Sequence, residues 1–163
     1  MAYIPDIIDY KPFYIQTDAD TAAIDTTAWG LVAKMTPFPI LPTAKEPYKN
    51  EWLDEDGDEE YTAQMHYESF EFDVTFYVKT LGADAEKTLI SQMESFFSKI
   101  RHGQFKIYDA YTGLGRQNVR YVEYTEESFK RTDNWARAIF VAKFKVNDPI
   151  TRITLKNGKL VEA

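Results

Sequence analysis

The chain has 163 residues, 44% hydrophobic and 28% charged, a size and balance that suit one globular domain able to bury its own core. Its net charge of −7 argues against a grip on phosphate backbones, and specific nucleic-acid binding is not expected. With no cysteine, disulfides, thiolate metal sites and a cysteine nucleophile are excluded.

Other classes drop out in the same way. No run of about 18 apolar residues is present to span a membrane. The opening MAYIPDIIDYKP lacks the basic and apolar regions of a secretion signal, so synthesis in the cytoplasm is expected. Aromatic residues reach 15%, with 11 Tyr and 11 Phe. Such residues favour strands, and Tyr also favours protein contacts because its ring is apolar while its hydroxyl tolerates water.

In chain order, residues 1–28 mix short apolar runs with Asp and Thr and read as an N-terminal arm with a strand near 12–17. Residues 29–163 read as a single β-barrel-like domain, opening with a strand at 29–34. A long loop at 36–52 follows, carrying Pro37, Pro39, Pro42 and Pro47, which cannot serve a central strand because proline donates nothing to a ladder. A solvated linker has no use for Phe38, Ile40, Leu41, Tyr48 and Trp52, so these five are candidate interface residues.

The acidic cluster DEDGDEE at 54–60 comes next, and its turn is expected to lead into a long strand at 61–80. A calcium loop requires glycine after three alternating oxygen ligands. Gly57 comes two places too early, so a solvated acidic turn is the reading and no metal is assigned. The long strand is the clearest signal in the chain. Phe70, Phe72, Val74, Phe76 and Val78 share one parity, while Glu71, Asp73, Thr75 and Lys79 share the other. That is a strand greasy on one face and wet on the other.

One helix is expected at about 84–101, where Leu89, Ile90, Met93, Phe96, Phe97 and Ile100 form an apolar stripe, with Asp84 as N-cap and Gly103 as the stop. Strand signals return at 105–109, 117–124 and 137–147, and Asn157-Gly158 marks a final hairpin. Strands on both sides of one helix, with no βαβ rhythm, predict an α+β fold of mainly antiparallel strands. The architecture is a split β-barrel or sandwich with the helix on its flank.

No catalytic constellation emerges. TGLGR at 112–116 lacks the Lys-Ser/Thr of a phosphate loop, so its glycines are read as permitting positive φ in a hairpin turn. His66 and His102 sit in no Ser-His-Asp pattern, and no cofactor is expected. The only basic and aromatic mixture, Arg116, Arg120, Tyr121 and Tyr124, reads as a strand face for acidic residues of a neighbour.

Four segments in order, WGLVAKMTPFPILPTAKEPYKNEW, FEFDVTFYVKT, FFSKIRHGQFKIYDAYTG and AIFVAKFKVNDP, resemble the distal tail and tail-tube proteins of bacteriophages over roughly residues 29–150. The resemblance implies a non-enzymatic virion protein that forms a ring, as a hexamer, and contacts other tail proteins, with no membrane involved. It also implies that Asp54, Glu55, Asp56, Asp58, Glu59 and Glu60 face a lumen or rim, where negative charge repels passing DNA. The alternative is a monomeric β-rich binding module, for instance for carbohydrate.

Overall fold

A computed structural model describes residues 13–35, 41–50, 53 and 56–163. The strands are β1 (Phe13–Thr17), β2 (Ile24–Asp25), β3 (Leu31–Met35), β4 (Lys49–Asn50), β5 (Glu59–Glu60), β6 (Phe70–Leu81), β7 (Phe105–Asp109), β8 (Leu114–Arg131), β9 (Trp135–Val146), β10 (Ile153–Lys156) and β11 (Lys159–Glu162). Helix α1 (Ala85–Ile100) lies between β6 and β7. The protein is an α+β fold of mainly antiparallel strands, dominated by one seven-stranded sheet in the order β2-β1-β7-β8-β9-β6-β3.

The chain connectivity forces that sheet to curl. Strands β2 and β3 are its opposite edges, yet only residues 26–30 join them, through the 3-10 turn Thr26–Trp29. Such a linker reaches at most about 20 Å. A flat seven-stranded sheet would place its edges about 29 Å apart. The rings of Phe13 on β1 and Phe76 on β6 meet at 5.9 Å across three intervening strands, which closes the curl. Asp25 caps the short turn by accepting from the Thr27 amide at 2.9 Å, and Gly30 leaves it at φ 74°, where a side chain would be strained.

Inside the curl, α1 lays its apolar stripe on β6 and β9. Leu89, Met93, Phe96 and Ile100 are buried, with Phe96 at 5.0 Å from Phe76 and Phe97 at 5.5 Å from Phe140. Phe13, Phe76, Phe96, Phe140 and Phe144 are fully buried, each contributing about 1.5–3 kcal/mol of transfer free energy. Ile90, expected within the stripe, is instead exposed. Asp84 supplies no side-chain cap; its carbonyl accepts from the Thr88 amide, and the Thr80 hydroxyl donates to the Ala85 carbonyl to tie the helix start to β6.

Two strands differ most from the sequence reading, for physical reasons. The long strand starts at Phe70 rather than at residue 61, because the core-side parity before it carries Thr62, Gln64, His66 and Glu68. Strand β8 runs 18 residues, far beyond 117–124, because bulges between Tyr121 and Glu123 and between Glu126 and Ser128 each shift its parity and break the alternation. In TGLGR, Gly113 has φ 69° as expected, but Gly115 does not. A Cβ there would meet Ile153 Cγ1 at 2.5 Å, so Gly115 serves close approach by β10. The final hairpin turns at Asn157 and Gly158, with φ 53° and 75°.

Candidate interface surfaces

Between β3 and β6 the chain leaves the barrel as a narrow antiparallel ribbon. Ala44 bridges Tyr67, the Lys45 amide donates to the His66 carbonyl at 2.8 Å, and Tyr61 donates to the Tyr48 carbonyl at 2.9 Å before the short β4–β5 ladder. Its outer part is held by the Tyr48 and Tyr61 rings at 5.3 Å, by Asn50 between their hydroxyls at 3.3 Å, and by Lys49 between Glu46 at 2.8 Å and Asp58 at 3.8 Å. Every residue from 56 to 66 is exposed.

The candidate interface residues belong to this excursion. Leu41 and Tyr48 are 78% and 71% exposed, and Leu53, Tyr61 and Met65 join them as apolar groups turned to solvent. Phe38, Ile40 and Trp52 lie outside the described residues, as do Asp54 and Glu55 of the acidic cluster. Asp56, Asp58, Glu59 and Glu60 sit exposed at the ribbon tip, where Gly57 turns at φ 80°. Among the described residues no group of acidic and histidine side chains could hold a metal ion.

A second surface runs beside α1. Beyond Val119, β8 pairs only with β9, so among the described residues its other edge carries no strand. The two bulges on that edge break its regularity, a feature that blunts indiscriminate pairing. Next to it lies an apolar hollow of about 270 Å³ lined by Phe97, Ile100, Arg101, Tyr121 and Tyr124. Burial raises the hydroxyl pKa of both tyrosines above the ordinary value, with Glu126 reinforcing the effect at Tyr124 and Glu123 at Tyr121. Arg131 closes the far end of the helix-side edge by pairing with Glu86 at 2.6 Å.

The four residues read as one basic and aromatic face do not share a surface. Arg116 is 3% exposed, where burial and the nearby Arg152 lower its pKa and Asp148 partly offsets them. Tyr121 and Tyr124 line the hollow, while Arg120 is exposed. His66 is exposed on the ribbon, and His102 is exposed with Nε2 accepting from Arg101 Nε at 3.1 Å.

Sequence reading missed a different basic group. On the outer face, the sheet register aligns Lys79, Arg137 and Lys130 across β6, β9 and β8. The Trp135 ring lies 5.4 Å from Lys79 Nζ and 5.7 Å from the Arg137 guanidinium carbon. Three separate strands supply these cations, so no local motif announces them; only the strand register brings them together.

No family model and no curated protein matches the chain. Among solved structures, the crystal structure of the SPP1 Dit (gp 19.1) protein, described as a paradigm of the hub adsorption apparatus in phages infecting Gram-positive hosts, aligns at a TM-score of 0.57 with 16% identity. The match covers 88% of this chain and 53% of that one, so this chain spans about half the length of its structural relative. At this identity the likeness establishes a shared fold.

Proposed function

We propose that this chain is a non-enzymatic structural component of a phage tail, made in the bacterial cytoplasm and built into the virion. In this reading it assembles with copies of itself into a ring, as a hexamer, and contacts other tail proteins. The observation that carries the reading is the fold shared with a phage tail hub protein over 88% of the chain. The projecting ribbon supports it: a two-stranded ribbon is marginal by itself in water, and one displaying Leu41, Tyr48, Leu53, Tyr61 and Met65 gains from burial against another surface.

Phe38, Ile40, Leu41, Tyr48 and Trp52 then serve as contacts to a neighbouring copy, and the acidic cluster lies at the rim. Sedimentation and electron microscopy of the full chain at rising concentration test this. Closed six-membered rings or stacks of them are expected. A stable monomer at about 100 μM, and above all one that binds glycans, overturns it in favour of a carbohydrate-binding module.

A further inference from the structure

We propose that the outward row Lys79–Arg137–Lys130, with Trp135, is the receptor for the acidic ribbon tip of a second copy of this chain. The inference deepens the self-assembly reading and rests on it, because it names the two surfaces that meet.

The row stands out against the rest of its own sheet face. At the Phe70 end of the same three strands every row of charges includes a carboxylate: Lys145 stands between Arg120 and Glu71, and Lys143 stands opposite Asp73 and reaches Glu123 at 3.8 Å. At the Leu81 end the register sets Lys79 opposite Arg137 and Arg137 opposite Lys130. Like charges directly opposite one another destabilise a sheet. Such a row gains from any opposite charge or aromatic face set against it. Trp135 supplies such a face through cation–π contacts with Lys79 and Arg137. Among the described residues no carboxylate pairs with Arg137 or Lys130, and Arg137 Nε is buried with no hydrogen-bond partner.

The complementary charge lies at the ribbon tip, where Asp56, Asp58, Glu59 and Glu60 are exposed. The chain runs from the ribbon into the barrel at the end of β6 opposite the row. The ribbon enters β6 at Phe70, nine residues from Lys79, a separation of about 30 Å along the strand. Two different patches make the contact heterologous, the kind that closes into a ring or propagates as a filament. Tyr48 and Tyr61, packed together beside the tip, bring apolar surface to the exposed Leu81 and the half-buried Trp135.

The test mixes isotopically labelled and unlabelled full-length chains, joins contacting carboxylates and lysines with a carbodiimide, and identifies the linked peptides by mass spectrometry. Mixed-isotope links between residues 56–60 and Lys79 or Lys130 are expected. Their yield should fall at least fivefold in Arg137→Glu, which leaves both lysines in place. Combining Lys130→Glu and Arg137→Glu with Asp58→Lys, Glu59→Lys and Glu60→Lys should restore assembly that either set alone abolishes. Chains that assemble with mixed links elsewhere, or links confined to one isotope, overturn the proposal while leaving self-assembly standing. A wild-type chain that never associates overturns both.

Discussion

The barrel and the ribbon are built from equally aromatic sequence and treat it in opposite ways. In the barrel, Phe140 is fully buried, with the rings of Phe76, Phe97 and Tyr124 each 5.5 Å away. In the ribbon, Tyr48 touches Tyr61 and is otherwise turned to water. The barrel buries most of its apolar groups within the chain, whereas the ribbon leaves Leu41, Tyr48, Leu53, Tyr61 and Met65 in water. Each substitution below probes that division, and the expected losses of stability run from several kcal/mol to none.

Phe140→Ala should cost the most, about 3–5 kcal/mol, because it opens a cavity where four aromatic rings converge. Chemical denaturation would measure it. A loss below about 1 kcal/mol would mean that the helix does not pack on β9 as described.

That part of the fold was legible in the sequence because its physics is local. Alternation along β6 and β9 and the stripe on α1 announce the faces that meet, whatever lies far away in the chain. The strand β8 was legible only in part, since each bulge resets its parity. Gly115 reads as a turn residue in the sequence because its constraint comes from Ile153, 38 positions along the chain. The candidate surfaces were less legible still. The proline-rich loop points to Leu41 and Tyr48 but not to Leu53, Tyr61 and Met65, and the Lys79–Arg137–Lys130 row exists only through sheet register, which no short window of sequence carries.

Gly115→Ala sharpens the comparison by testing how the β10–β11 hairpin attaches to the barrel. The added methyl would also approach the Ile153 carbonyl at 2.8 Å and the Ile107 carbonyl at 3.1 Å, so either β8 or β10 must move. A loss of about 1–3 kcal/mol is expected, with faster amide exchange confined to the hairpin. Unchanged exchange at Ile153 and Leu160 would show that the hairpin is not held there.

A smaller effect is expected where α1 meets the segment after β1. Asp20 accepts from Lys99 Nζ at 2.7 Å and from the Thr17 hydroxyl and amide at 2.8 and 3.0 Å. Partial burial pushes its pKa up, but these hydrogen bonds together outweigh it and hold the carboxyl below its ordinary value. A lowered native pKa means stability present above the unfolded value and lost as pH falls through the native one. Asp20→Asn should therefore cost about 1 kcal/mol at pH 7, and the difference should vanish once the pH has fallen below the lowered native value. Parallel pH profiles for the two proteins between pH 2 and 7 would remove the ion pair from the account.

The ribbon provides the sharpest contrast, because there the expected loss of stability is the smallest. Replacing Leu41 and Tyr48 together by Ser should change the unfolding free energy by about 0.5 kcal/mol or less, as neither residue packs in the barrel core. The same pair should abolish concentration-dependent assembly, since an interface depends on a few well-buried aromatic and aliphatic anchors. Thermal melts of dilute protein beside light scattering of concentrated protein separate the two quantities. Destabilisation as large as that of Phe140→Ala would mean that the ribbon belongs to the barrel after all. Full stability with full assembly would instead mean that copies meet through another surface, and the apolar hollow beside the open edge of β8 would be the next place to substitute.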